Sequence, residues 1–337
     1  MRPTPDLRCY LVTGAGSREQ VVDVARRAVA GGSRIVQVRS KPISARDLYS
    51  LTEEIALAVG DTAHVLVDDR VDIALAGQVL LAGAGQNPAR QTAVGAGVPL
   101  DTPAMTINIV CLSGSEAVAQ ADRLISAGEA SIVLVVGQES MTQAPHLVHA
   151  RMGQRYGAMQ LVDSLEHDGL SDSFEHTSMG ALAEGHTADV GISRERQDAW
   201  AARSHRLLAE AQGMLADEIV PLTPTPKVGA VAADDGLRAD TTAESLARLR
   251  PAFSADGTVT AGNASQISDG AAALVIVDES LATAEGLPAL ARIESRALVA
   301  GPGLSLLEQP ARAILGALER GGFATSDLTA VEINEAF

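Results

Sequence analysis

Strand-type runs alternate with helix-period stretches from the N-terminus, and this alternation restricts the fold more than any other feature of the chain. Cys9 to Thr13 reads as a strand, and Glu19 to Val29 as a helix closed by Gly31 and Gly32. Ser33 to Val38 is a second strand, Ala45 to Val59 a helix, and His64 to Val67 a buried strand. This βαβαβ order calls for parallel strands joined by crossover helices, so the expected class is α/β. The pattern resumes with a helix from Pro88 to about Ala96 and a strand near Thr106 to Val110. The next helix carries Ala117, Ala121, Leu124 and Ile125 on one face and stops at Gly128. Ser131 to Val136 is a continuous β-rich run, as in a strand covered on both sides.

The middle of the chain is less regular. Arg194 to Gln212 reads as an amphipathic helix with Ser193 as N-cap, Trp200, Leu207, Leu208 and Ala211 turned inward, and Gly213 as its stop. Pro221 to Asp240 is a loop rich in Pro, Gly and Asp. A strand follows at Ala271 to Val277, a helix at Gln309 to Leu318 and a last strand at Ala330 to Ile333.

Composition excludes several function classes. Hydrophobic residues make up 46% of the 337 residues and glycine accounts for 31, enough for a sizeable core with many tight turns. Aromatics are only 2%, which removes the stacking platforms of single-strand nucleic-acid binders. A net charge of −16 argues further against a polyanionic macromolecular partner. The apolar run Ile132 to Val136 is too short to span a membrane. Two cysteines in unlike segments give no disulfide framework, and Pro3, Pro5 and Asp6 replace a signal-type apolar stretch, so the expected compartment is the cytoplasm. His146 and His149 lack a third ligand in metal spacing, and no metal site is expected. Asp234 and Asp235 read as a solvated loop pair rather than an acid/base dyad.

Cys111 is the candidate nucleophile. It follows an apolar segment and precedes a small-residue turn and a helix, where unpaired N–H groups favour a thiolate. The alternative for an isolated cysteine is a small buried hydrophobe. The surrounding segments decide between the two. Gly77 to Arg90, Asn108-Ile-Val-Cys-Leu-Ser-Gly114, Gly137 to Pro145, His167-Asp-Gly-Leu170, Met179-Gly180, Ala183-Glu184, Leu249 to Phe253, Thr258 to Ser265 and Glu332-Ile-Asn-Glu-Ala-Phe337 occur in the order found in thiolases, which this chain resembles over residues 77 to 337. The resemblance implies a layered α/β thiolase fold and an acyltransferase of the acetyl-CoA C-acetyltransferase type. Such an enzyme makes or cleaves β-ketoacyl-CoA through an acyl-cysteine. It implies a first core half over 77–142 with 271–290, a loop domain over 143–270 and a second half over 291–337.

By the same resemblance Cys111 carries the acyl group and its N–H contributes to one oxyanion hole, while Asn334 orients a water in another. Ser265 would contact coenzyme A, and Met179 would line the pantetheine tunnel. Ser178 stands where many relatives have a CoA-contacting histidine, and Gln266 and Ser268 replace a usual glycine and asparagine. The expected partners are acyl-CoA, as substrate rather than bound cofactor, and further copies in a thiolase-like homo-oligomer. The sequence stops at Phe337 inside the last motif, ahead of the Gly-His-Pro and Cys-x-Gly-Gly segments with which the family continues. The expectation is therefore an incomplete catalytic set and impaired turnover.

Residues 1–76 resemble the opening of thiamine phosphate synthase, a (β/α)8 barrel. Gln37, Arg39 and Lys41 would match its diphosphate-binding residues and Asp69 its magnesium-binding acid, with Asp68 at the usual asparagine. A full barrel cannot close from these few βα units. Val12-Thr-Gly-Ala-Gly16 also invites a dinucleotide-binding reading, but the third glycine and a Tyr-x-x-x-Lys pair are missing. The alternatives to an acyltransferase are thus a thiamine phosphate synthase fragment or a rearranged, non-catalytic chain. No Gly/Ser- or Pro-rich linker separates the two resemblances near Ala76 and Gly77. Replacing the first thiolase strand with foreign units is expected to leave strand edges unpaired.

Overall fold

The computed structural model describes residues 10–12, 16–33, 35–38, 45–59, 64–67, 71–223 and 229–337. They fall into two compact units, Met1–Pro145 with Asp269–Ile293, and His146–Ser268 with Glu294–Phe337.

The first unit opens with β1 (Tyr10–Val12), α1 (Arg18–Ala30), β2 (Ile35–Val38), α2 (Ala45–Val59) and β3 (His64–Val67). The three strands are parallel in the order β1-β2-β3, with Tyr10 beside Ile35 and Ile35 beside His64. Ser17 starts α1 through a capping box: its hydroxyl accepts the Gln20 N–H at 3.3 Å and the Gln20 side chain accepts the Ser17 N–H at 3.0 Å. Val21, Ala25 and Val29 of α1 then pack with Leu51, Ile55 and Val59 of α2 and with Val36 and Val38 of β2. The helical period in both segments and the strand between them produce this small core directly.

A second sheet follows from β4 (Ile73–Gly77), α3 (Pro88–Gly95), β5 (Ala104–Ile107), α4 (Ser113–Ser126), β6 (Ile132–Ser140) and the returning β9 (Asp269–Val277). Its order is β5-β4-β6-β9, with the first three parallel and β9 antiparallel to β6. Successive β4 residues face opposite layers. Leu75 packs with Val133, Val135, Ala117 and Ala121 under α4, whereas Ala76 packs with Val136 and Ala89 of α3. The Asp72 carboxylate accepts the N–H groups of Ser131 and Ile132 at 2.6 and 2.8 Å, fixing where β6 begins. α8 (Glu279–Glu285) follows β9. β4 itself lies between β5 and β6 with both edges laddered, whereas β5 and β9 end the sheet and, among the described residues, no strand pairs with their outer edges, as the expectation of unpaired edges had it.

The second unit contains the short antiparallel pair β7 (His146–Leu147) and β8 (Val162–Asp163), a π-helical turn at Leu165–Leu170, α5 (Met179–Val190), α6 (Arg194–Leu215), α7 (Ala243–Leu246) and α9 (Gln309–Gly321). Ser193 caps α6 as the sequence implies, its hydroxyl accepting the Arg196 N–H. Three expectations for this helix fail. It runs past Gly213 to Leu215, and Trp200 and Leu207 are turned outward, 55% and 37% exposed. The buried position is Asp198, only 2% exposed, which the Arg194 guanidinium neutralises at 2.8 Å. The helix presents a satisfied carboxylate inward and leaves its indole for a surface contact. The expected strand over Ala330 to Ile333 is absent, because no described strand lies beside this segment to supply ladder hydrogen bonds.

Candidate functional site

Cys111 is exposed and lies between the end of β5 and the start of α4, on the side where the parallel strands β4, β5 and β6 end. Ligands of open α/β sheets bind at these carboxyl ends. The turn that presents the thiol is strained. Val110, immediately before it, has φ +54°, a left-handed conformation that a β-branched residue adopts at a cost of about 1–3 kcal/mol. Hydrogen bonds hold it there. The Asn108 side chain accepts the Val110 N–H at 3.0 Å and donates to the Val79 carbonyl at 3.0 Å. Ser113, almost fully buried, accepts the Ile109 N–H at 2.9 Å and donates its hydroxyl to the Val110 carbonyl at 2.5 Å.

Three glycines lie where α4 starts against the strands, and Gly77 is the one that permits so close an approach. A Cβ on Gly77, at the end of β4, would lie 2.3 Å from the Ser113 carbonyl carbon. Gly114 and Gly137 face each other, each Cα within 3.8 Å of where the other's Cβ would be. Beside this turn the β6 end carries a chain of polar contacts. Glu139 accepts the Val79 and Leu80 N–H groups at 2.9 and 3.1 Å. Gln138 accepts from Thr92 at 2.6 Å and donates to Gln78 at 2.8 Å. Asn87, also left-handed at φ +47°, donates to the Ala104 carbonyl and accepts from Thr106, pinning the segment ahead of α3 to β5.

The second unit holds Met179, Ser265 and Asn334, and the structure draws their segments together around residues 334–337. Met179 is half-buried at the first turn of α5, after the Ser178 N-cap. Its neighbour Gly180 takes the Phe253 ring so closely that a Cβ would meet it at 2.2 Å, and Phe253 in turn meets Phe337 edge-on, centroids 6.1 Å apart. Ser265 is exposed and donates its N–H to the Ala336 carbonyl at 2.9 Å. Asn334 is exposed in the same terminal segment. The turn leading to Ser265 is fixed from below. Asn263 accepts the Thr260 N–H at 2.7 Å and donates to Asp198 at 2.9 Å, while Glu184 accepts the N–H groups of Thr258 and Val259.

Other candidates stay apart. His146 and His149 are exposed, His167 pairs with Asp168 at 2.7 Å, and His186 meets the Ser305 hydroxyl at 2.9 Å. Among the described residues no group of three or more His, Cys, Asp or Glu could hold a metal ion, and no helix is long and apolar enough to cross a membrane. Cys9, Arg39, Lys41, Asp68 and Asp69 lie outside the described residues, and Gln37 is described only through the β2 backbone. Sequence reasoning missed Val110, Ser113 and the three glycines. Glycines at the ends of two strands and at the start of a helix were the available signal for a close approach.

Comparisons with known proteins bear on the family of the chain. The family described as Thiolase, N-terminal domain, matches residues 27–280. The match begins well ahead of Gly77, so the thiolase likeness reaches into residues 27–76, beyond the start at Gly77 that the motifs gave. A Mycolicibacterium smegmatis protein named as a probable acetyl-CoA acetyltransferase is 48% identical over 303 residues, 88% of this chain and 77% of its own. The acetyl-CoA acetyltransferase of Chromobacterium violaceum is 41% identical over 327 residues, 95% of this chain and 81% of its own. The crystal structure of the Bacillus anthracis acetyl-CoA acetyltransferase matches with a TM-score of 0.75 at 37% identity, covering 80% of this chain and 69% of that one.

Proposed function

The chain belongs to the thiolase family, and on that premise we propose that it transfers acyl groups between coenzyme A thioesters with the Cys111 sulfur as acceptor. The observation that carries the reading is the exposed thiol on a strained turn at the carboxyl ends of three parallel strands. In the first step the Cys111 thiolate attacks the thioester carbonyl, a new carbon–sulfur bond forms, and the bond to coenzyme A breaks. The thiol proton ends on the departing coenzyme A sulfur. Preorganised donors stabilise the oxyanion between these events, and the Cys111 N–H is assigned to that role. In the second step the incoming nucleophile forms its bond to the acyl carbon, the carbon–sulfur bond to Cys111 breaks, and the proton that the nucleophile gives up restores the thiol.

Met179, Ser265 and Asn334 are assigned in the second unit to the pantetheine, coenzyme A and water-orienting roles of the family. Residues 143–270 are read as the loop domain, and the working form as a homo-oligomer in the cytoplasm.

Incubation with acetyl-CoA followed by peptide mass spectrometry tests the proposal. Stoichiometric acetylation at Cys111, abolished in Cys111→Ala, is the expected result. A folded chain that acquires no adduct on Cys111 would sink it.

A further inference from the structure

Residues 334–337 form no ladder and no helix, so side-chain and single backbone contacts must set their position. The strongest of these contacts belongs to Glu335. One carboxylate oxygen accepts the Trp200 indole N–H at 2.7 Å, and the other accepts the Ser204 hydroxyl at 2.7 Å. Trp200 and Ser204 are four residues apart on α6 and therefore share a face, so the two bonds grip one carboxylate from one helix. The Arg203 guanidinium lies 4.5 Å from the Trp200 ring centroid, which steadies the indole. Hydrogen bonds to a charged acceptor are about twice as strong as neutral ones.

The grip lies one peptide from Asn334 and one peptide from Ala336, whose carbonyl receives the Ser265 N–H. We propose that Glu335 is a positioning residue: its carboxylate clamps the terminal segment to α6 and thereby sets both Asn334 and the Ser265 turn. What those two residues do rests on the thiolase reading; the clamp rests on the hydrogen bonds alone. The outward Trp200 acquires a purpose in this arrangement, as a donor held at the surface for a carboxylate distant in sequence. Because Glu335 is itself exposed, removing it leaves the buried core of the unit intact.

The test uses the full chain and three variants, Glu335→Ala, Glu335→Gln and Ser265→Ala, with melting midpoints to confirm folding. Amide exchange followed by NMR reads the clamp directly. Exchange at the Ser265 N–H is expected to speed up about tenfold in Glu335→Ala, the size of one lost charge-assisted bond. Glu335→Gln, which keeps an acceptor for the indole, should stay within about threefold of wild type. The indole N–H resonance of Trp200, the single tryptophan, should shift upfield in Glu335→Ala. Unchanged Ser265 exchange in Glu335→Ala overturns the clamp.

Calorimetric binding of coenzyme A reads the consequence. Glu335→Ala and Ser265→Ala should each weaken it about tenfold, the loss of one good hydrogen bond. Weakening by Ser265→Ala but not by Glu335→Ala overturns the positioning role. No effect of Ser265→Ala, or no binding by the wild type, removes the thiolase role of Ser265 while the exchange data still decide the clamp.

Discussion

The backbone of Ser113 passes so close to Gly77 that a methyl group on Gly77 would overlap the Ser113 carbonyl, 2.3 Å from both its carbon and its oxygen. The first turn of α4, and with it the turn bearing Cys111, is therefore set by the lack of a side chain on the last residue of β4. Backbone atoms on both sides leave no flexible group to give way.

Gly77→Ala should accordingly destabilise the chain by about 3 kcal/mol, at the upper end of overpacking costs, and slow acetylation of Cys111 by acetyl-CoA. Gly137→Ala provides the control. Its added methyl would meet the Gly114 Cα at 3.7 Å, an ordinary contact, so its cost should stay below about 1 kcal/mol. Urea midpoints of the two variants check the contrast. Equal losses would mean that the helix start is not pinned at Gly77.

Val110→Gly relaxes the turn from the other side. Val110 is 47% exposed, so little apolar contact is lost when its side chain goes, whereas its left-handed backbone becomes unstrained. A gain of about 0.5–1 kcal/mol in stability is expected, together with slower acetylation because the thiol is held less firmly. A fall in the denaturant midpoint would show that the side chain of Val110 contributes more than its strain removes.

Asp269 gives a pH dependence whose sign follows from its partners. The Thr142 hydroxyl at 2.5 Å and the Thr142 N–H at 3.0 Å, with the Ser140 hydroxyl at 3.2 Å, hold its carboxyl below the ordinary carboxylate value. A carboxyl lowered in the folded state binds its proton more readily when unfolded. Its contribution to stability is thus complete above about pH 4, where unfolded aspartate ionises, and is lost as pH falls through the lower folded value. Asp269→Asn should melt below wild type at pH 6, and the gap should close as the pH is lowered past 4. A gap that widens on acidification would contradict the assignment.

The parts of the fold that could be read from the sequence are those governed by local pattern. The helix over Ala45–Val59 and the strand over His64–Val67 have the bounds that their periodicity and flanking residues imply. The α4 face of Ala117 and Ala121 is fully buried as its spacing requires. Trp200 defeats the same reasoning. An apolar ring on a helix is counted as inward, yet Asp198 takes the buried position because Arg194 and Asn263 satisfy both of its oxygens. Ala330 to Ile333 has strand composition without a strand to pair with. Cys111 was legible from the motif around it, but the grip of Glu335 on Trp200 joins residues 135 apart, and no local rule reports such a pairing.

The antiparallel partnership of β6 and β9 joins Ser140 to Asp269, 129 positions apart in the chain. Closing so long an excursion adds little entropy, since each doubling of loop length costs only about 0.6 kcal/mol. In time the interval is large. During synthesis at about 5–20 residues per second, β6 would wait roughly 6–26 s before β9 leaves the ribosome. Throughout that wait one edge of a largely apolar strand offers its N–H and C=O groups to any neighbour, so the nascent chain is most exposed to mispairing while its first unit is one strand short of completion.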